Sequence, residues 1–296
     1  MRYRAILACF VGTLGCGHGR SAPQPPTAKT AEDADEAEVE EEALVKPHTT
    51  STSRAMRDQS SSCAAGLDAC EPNGCEDEGS PHALFNNIKR RTTTSGGSPI
   101  TFESSTPIDF KVMKKLQKHA DDLVGQHVMP DESERKKLAS IDVDGLQLGE
   151  GAAVRIIGYL APHTKPSAGV HAGGIESVNC RLTKEDEKDI HIPLVPAHNA
   201  DECAGVVVEM IPQGRAYHPH WNRVDLVDVG KTNVKVMFVG PLFYDSEHLV
   251  NDDCAHLKNG QPKRMSLWEV HPVIEVYECD EGSCSVDSKA GWTRIE

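Results

Sequence analysis

Apolar and polar positions begin to alternate in short runs after residue 150. Six runs have the period-two or continuously apolar pattern that half-buried and buried strands show. These runs span residues 154–160, 176–182, 189–195, 205–211, 233–245 and 266–278. Turn-rich segments separate them, and none is long enough to supply repeated strand–helix–strand crossovers. The pattern therefore predicts a mainly β domain, an antiparallel barrel or sandwich, within an α+β chain.

The longest run contains a glycine, Gly240, between apolar neighbours. A glycine inside a strand is typical of a bulge or sharp bend, and small barrels need such bends at their corners. We therefore predict an OB-like antiparallel β-barrel over residues 150–296. An open β-sandwich is the alternative.

A helical segment precedes this β-domain. Apolar side chains recur at helical spacing over residues 105–124, with Ser105 or Thr106 as the N-cap and Pro107 in the first turn. Residues 131–140 place acids before bases, which complements a helix dipole. We expect Met113 and the other apolar positions of the first helix to lie in the core.

A third short helix is predicted over residues 83–91. It ends in the basic run Lys89-Arg90-Arg91. Cations stabilise the C-terminus of a helix, and this is sufficient to explain the run.

The first residues are typical of an export signal. Arg2 and Arg4 precede an apolar run over residues 5–15, which is too short to cross a bilayer. The run ends at Cys16 in an order that resembles a bacterial lipoprotein cleavage site. We predict lipidation of Cys16 and membrane attachment through that lipid, with a plain secretory signal cleaved near Ser21 as the alternative.

The predicted organisation has five parts. The segment after Cys16 is rich in Pro, Ala, Ser, Thr and acidic residues and cannot bury enough apolar surface to fold. We expect it to be a disordered tether. The parts are a signal with lipobox (1–16), an acidic linker (17–60), an irregular cysteine-containing segment (61–100), a helical segment (101–149) and the OB-like β-domain (150–296).

The sequence contains ten cysteines. Without Cys9 and Cys16 the number is even, as expected for disulfides in an exported protein. The candidates are Cys63, Cys70, Cys75, Cys180, Cys203, Cys254, Cys279 and Cys284. Their pairing is left open, since many connectivities fit. The spacing within residues 63–75 is not that of a zinc ribbon, so a zinc site there is disfavoured.

The formal net charge is −14. A negative surface repels phosphate backbones, which makes nucleic acid an unfavourable partner. An envelope protein or a saccharide is a more plausible partner for such a chain.

Imidazoles and carboxylates recur along the predicted strands. These groups are the ligands that zinc, manganese and non-haem iron prefer. The candidate metal ligands are His191, Asp245, His248, Glu269 and His271. Glu209 is the candidate general base for a metal-activated water. The alternatives are a polar sheet face with no ligand and a metal-free binding or acid–base site.

Six sequence stretches together resemble a group of bacterial exported proteins that has no established activity. They are VRIIGYL, ESVNC, DIHIPL, VVVEMIP, GPLFYDSEH and SLWEVHPV, in that order. The last carries the Trp-Glu-Ile/Val-His-Pro motif of the group. The resemblance covers about residues 83–278 and implies a short helical part followed by one β-domain. It implies no catalytic residues.

Together these features predict an exported, lipid-anchored cell-envelope protein facing the periplasm or the cell surface. We expect it to act as a non-catalytic binding or interaction module. The alternative is a metal-dependent hydrolase of phosphoesters or esters that uses the His/carboxylate set.

Overall fold

The computed structural model describes residues 61–125, 129–161, 170–248, 250, 264–280 and 284–296. The predicted signal with Cys16, the acidic linker (17–60) and Cys254 lie outside the described residues. Within those residues, no helix has both the length and the apolar character of a membrane span.

The structure is mixed α/β, with strands predominating over a few helices. The helices are α1 (Pro81–Lys89), α2 (Phe110–Val124), α3 (Glu132–Leu138), α4 (Pro212–Arg215) and α5 (Arg223–Gly230). The strands are β1 (Thr106–Ile108), β2 (Ile141–Val143), β3 (Leu146–Leu148), β4 (Ala153–Leu160), β5 (His171–Ala172), β6 (Ile190–Val195), β7 (Val206–Met210), β8 (Val236–Tyr244), β9 (Trp268–Val270), β10 (Glu275–Cys279) and β11 (Trp292–Ile295).

Five strands close into a barrel. Their order around the ring is β4-β6-β7-β9-β8, and β8 pairs with β4 to close it. All these pairings are antiparallel except β7 with β9, which is parallel. Inward-facing side chains such as Ile192, Val208, Phe238 and Trp268 are fully buried in one core. The prediction of a mainly β fold with a closed barrel is confirmed.

Three strands extend the sheet beyond the ring. β10 continues from β8, β11 continues from β10, and β1 lies parallel to β4. The hairpin of β2 and β3 forms a separate small sheet. The short strand β5 pairs with β6.

Most predicted strands agree with the structure, but two do not. Residues 176–182 form a 3-10 turn, Ser177–Asn179, and the next two residues have left-handed backbones. Its amides bond locally, Asn179 N–H to the Glu176 carbonyl and Cys180 N–H to the Ser177 carbonyl, so the segment needs no neighbouring strand. Residues 266–278 form two strands, β9 and β10, because Pro272 cannot donate to a ladder.

The first predicted helix is shorter than expected. α2 begins after Asp109, whose side chain accepts the N–H of Val112, so Ser105 and Thr106 are not its caps. Pro107 lies in the edge strand β1, where its missing N–H removes no ladder bond. The core prediction is correct, because Met113 is fully buried. The shorter helix is present as α3, and Asp131 and Glu134 form its capping box.

Disulfides hold the segment before the barrel in place. The described pairs are Cys63–Cys75, Cys70–Cys180 and Cys279–Cys284, and Cys203 is also disulfide-bonded. The prediction of disulfides is confirmed for these cysteines. Cys70–Cys180 joins residues 61–91, which we call the covering segment, to the turn that precedes β6.

Gly240 marks the point at which β8 changes partner. Before it β8 pairs with β10, and after it with β9. The connection from β9 to β10 passes over the glycine, and a Cβ there would lie 2.4 Å from the Pro272 carbonyl oxygen. The glycine that we expected to mark a bend or bulge therefore stands at a close backbone approach that only glycine permits.

Replacing Gly240 by Ala should destabilise the protein by about 3 kcal/mol, because the new methyl group meets a backbone carbonyl that cannot rotate away. Urea unfolding of the purified chain measures this change. Gly214→Ala is the matched control, since a Cβ at Gly214 would meet only Ile211, at 3.8 Å. Equal stability of the two variants would contradict the assigned close approach.

Candidate functional site

A band of polar residues lies on the outer surface of the barrel. His191 of β6 is paired with Glu209 of β7, and Phe243 of β8 with Glu269 of β9. Their neighbours along the strands point into the core, so the alternation of a strand places these four side chains outside. The polar face is nevertheless buried, because both glutamates have no exposed surface.

The covering segment buries this face with an apolar and a charged contact. Phe85 of α1 packs edge-on against Phe243, with ring centroids 4.9 Å apart. The guanidinium of Arg135 lies over both rings and pairs with Glu150. α1 therefore lies against the barrel, and its last residue, Lys89, points its ammonium group among the carboxylates.

Lys89 is the central cation of the buried cluster. Its Nζ lies 2.7 Å from Glu176 Oε2, 3.4 Å from Glu209 Oε2 and 3.8 Å from Asp189 Oδ2. Burial alone would lower the pKa of Lys89, but the three carboxylates outweigh it and hold the pKa well above its ordinary value. Lys89 lies in the last turn of α1, as predicted, but its charge also serves the barrel, so stabilisation of the helix terminus is not its whole role.

His271 links the covering segment to the same carboxylates. Its Nδ1–H donates to the Lys89 carbonyl oxygen at 2.6 Å. Its Nε2 lies 2.8 Å from Glu209 Oε2 and 3.6 Å from Asp189 Oδ2. Burial lowers the pKa of His271, yet the charge of Glu209 and contacts with both carboxylates raise it to about 10.

Arg264 neutralises the other end of the cluster. Its guanidinium contacts Glu269 and lies 3.5 Å from Asp245 Oδ2. His248, which is partly exposed, pairs with the same Asp245 oxygen. Burial would raise the pKa of Asp245, but His248 and Arg264 hold it far below its ordinary value.

Glu269 behaves in the opposite way. Burial, followed by repulsion from Glu209 and Asp245, raises its pKa well above the ordinary value despite Arg264. The pKa values of Glu269 and His271, two residues apart in the sequence, are thus both raised, by burial for the glutamate and by neighbouring carboxylates for the histidine.

At its Lys89 end, the cluster opens toward the surface only slightly among the described residues. His191 Nε2 lies 3.3 Å from Glu176 Oε1 and 3.4 Å from Glu209 Oε1. The side chains of His191 and Glu176 are 12% and 23% exposed. With the exposed neighbour Ile175, they form an edge that we call the loop edge.

The structure gathers all the sequence-predicted site residues around this cluster. His191, Glu209 and His271 lie at the Lys89 end, and Asp245, His248 and Glu269 at the Arg264 end. Two sets of three potential ligands have atoms within 4.8 Å of one another, Asp189–Glu209–His271 and Glu209–Asp245–Glu269.

Four members were missed as site residues by the sequence analysis: Lys89, Glu176, Asp189 and Arg264. Only Asp189 carried a usable signal, since it shares the alternation that placed His191 outside the core. The other three come from a helix end and from loops, where no periodicity predicts which side chains meet.

The arrangement disfavours acid–base catalysis by Glu209. Burial would raise the pKa of Glu209, but His191, Lys89 and His271 lower it well below its ordinary value. Such a carboxylate accepts a proton poorly at neutral pH.

No protein-family model, curated protein or solved structure matches this chain. Function is therefore inferred from the geometry of the described residues.

Replacing Glu176 by Gln should flatten the acid side of the stability–pH curve. Burial raises the pKa of Glu176, but Lys89 and His191 bring it down to about 2 from 4.5. Its contribution is present above pH 4.5 and is lost as the pH falls toward 2. The loss is at most about 3 kcal/mol.

Urea unfolding of both proteins between pH 2 and 6 tests this expectation. The wild type should lose more stability than Glu176→Gln as the pH falls. Glu132→Gln is the control, because Glu132 forms only a solvent-exposed pair with Lys136, and such pairs contribute little to stability. Parallel curves for the wild type and Glu176→Gln would show that the pairing of Glu176 with Lys89 makes no pH-dependent contribution to stability.

Proposed function

We propose that this chain is an exported, lipid-anchored protein of the cell envelope, whose OB-type barrel is a non-catalytic binding module. The observation that carries the proposal is the closed polar face. The carboxylates and imidazoles best suited to catalysis lie under the covering segment, paired with Lys89, Arg264 and one another. Residues held in this way stabilise a scaffold and do not reach a substrate.

The OB assignment is supported by the order of the ring. Taken along the chain, the first barrel strand pairs with the second and the fourth, and the third lies parallel to the fifth. This is the closure of a five-stranded Greek-key barrel. Along the chain, the helices α4 and α5 lie between the third barrel strand, β7, and the fourth, β8.

Export is supported by the cysteines. Disulfides form and persist in oxidising compartments, and three described pairs hold the covering segment and the C-terminal hairpin. The Arg2/Arg4 start, the apolar run and Cys16 supply the matching signal and anchor.

The binding surface is proposed at the loop edge. OB barrels bind ligands through the face of their second and third strands and through the loops that flank it. Here the covering segment occupies that face. The described part of the loop between β4 and β6 contributes Ile175, which is 47% exposed, and Glu176 to the loop edge, beside His191 of β6.

The partner is proposed to be an envelope saccharide or protein. The net charge of −14 disfavours nucleic acid. A solvent-exposed apolar side chain flanked by a carboxylate and an imidazole suits contacts with sugar rings or with a peptide surface. The hydrolase alternative is weaker, because it requires the same polar residues to be open to substrate.

Replacing Cys16 by Ser should release the chain from membranes, because a lipid-modified cysteine is the proposed anchor. Cells that express each version are labelled with a fatty-acid analogue and separated into membrane and soluble fractions. Label on the wild type and its loss in Cys16→Ser are expected. Cys9→Ser is the control and should keep both the label and the membrane fraction. A wild-type chain without label would contradict the lipid anchor.

Replacing Ile175 by Asp should weaken binding at least about ten-fold, since it places a charge in the proposed contact. The full chain is sedimented with insoluble peptidoglycan, and cross-linked to envelope proteins in a parallel experiment. Val224→Asp, at an exposed site on α5, should bind like the wild type.

Two results would contradict the binding proposal. One is the absence of retention and of a specific cross-link for the wild type. The other is turnover of a phosphoester or ester substrate that Glu209→Gln abolishes.

A further inference from the structure

Several buried polar atoms of the cluster face one another without hydrogen bonds of acceptable geometry. They are Asp189 Oδ2, both carboxylate oxygens of Glu209 and Nε2 of His271. All three side chains have no exposed surface. Leaving such groups unbonded inside a protein is costly, so their convergence indicates a position for a further cation.

The three groups have the separations of a metal-ligand set. Nε2 of His271 lies 2.8 Å from Glu209 Oε2 and 3.6 Å from Asp189 Oδ2. Zinc–ligand bonds near 2.1 Å at tetrahedral angles place neighbouring ligand atoms about 3.4 Å apart. The His271–Asp189 separation already fits, the His271–Glu209 separation has to open by about 0.6 Å, and all three ligand atoms lie within 4.8 Å of one another.

His271 is oriented as a metal ligand is. Its Nδ1–H donates to the Lys89 carbonyl oxygen, which fixes the ring and directs Nε2 at the two carboxylates. A backbone carbonyl on the second ring nitrogen is the usual outer contact of a metal-bound histidine.

The neighbouring set of Glu209, Asp245 and Glu269 is a poorer site. The guanidinium of Arg264 already contacts Glu269 and lies near Asp245. An arginine charge is permanent, and its fork matches carboxylates well. Lys89, in contrast, lies 3.4 and 3.8 Å from the two carboxylates of the first set, too far for strong hydrogen bonds.

We propose that Asp189, Glu209 and His271 form a buried three-ligand site for a divalent transition metal, with zinc as the best fit, and that the Lys89 ammonium competes for it. The site is separate from the proposed binding surface, and it does not depend on the function proposed for the barrel. An imidazole with two carboxylates suits zinc and, less well, manganese or iron. Because the ligands are buried, the ion enters as the protein folds.

The test measures metal content after folding. The full chain, with its disulfides intact, is unfolded in denaturant and refolded with no metal, Zn²⁺, Mn²⁺ or anaerobic Fe²⁺. After gel filtration, elemental mass spectrometry should find about one equivalent of zinc. Cobalt(II) should give the visible absorption of a low-coordinate site. Asp189→Asn and His271→Gln should lose both signals.

Lys89→Met separates the proposed site from adventitious binding. Removing the competing ammonium should tighten zinc binding at least about ten-fold and make the thermal midpoint more zinc-dependent than in the wild type. Lys115→Met is the matched control, because Lys115 pairs with Asp144 on the surface. It should bind zinc like the wild type. Folding of Lys89→Met only in the presence of zinc would also support the site.

Three results would overturn the proposal. The first is a wild-type chain that folds and retains none of the three metals. The second is metal that stays bound in Asp189→Asn and His271→Gln. The third is equal zinc affinity of Lys89→Met and Lys115→Met. If Lys89→Met does not fold under any condition, the metal content of the wild type and of Asp189→Asn decides whether the proposal holds.

Discussion

The ion pairs between Lys89 and the carboxylates of Glu176, Asp189 and Glu209 are the constraint on which the rest of the structure depends. A barrel with buried, unpaired carboxylates on its surface is strongly disfavoured, because each would lose its hydration without compensation. Lys89 supplies that compensation from outside the barrel. The covering segment is therefore part of the domain, and the polar face exists in buried form only because the segment closes it.

Apolar and covalent contacts keep this cation in position. Phe85 packs on Phe243, and Cys70–Cys180 ties the covering segment to the turn beside Glu176. On the other side of the cluster, the crossing of the Pro272 carbonyl over Gly240 sets where β9 ends and where His271 lies. Backbone geometry, a disulfide and aromatic packing thus together fix the positions of a few charged atoms.

This arrangement closes the strand face and leaves its edge partly open. The charged groups under α1 neutralise one another away from solvent, whereas His191 and Glu176 at the loop edge are partly exposed. In the proposed metal site, the ion and Lys89 are alternative counterions for the carboxylates of Asp189 and Glu209.

The sequence by itself determined the β-domain, most of its strands, the special backbone position of Gly240 and the outward alternation of His191, Glu209 and Glu269, because these depend on local periodicity and backbone freedom. It also indicated α2 and α3 through their apolar spacing and polar termini. The turn at residues 176–182 follows from local amide bonds and the break at Pro272 from a missing N–H, and neither feature interrupts the apolar pattern on which the strand prediction rests. The tertiary structure alone decided that Lys89, Glu176 and Arg264 join the cluster. These residues come from a helix end and loops distant in the sequence, and only chain folding determines which charges become buried together.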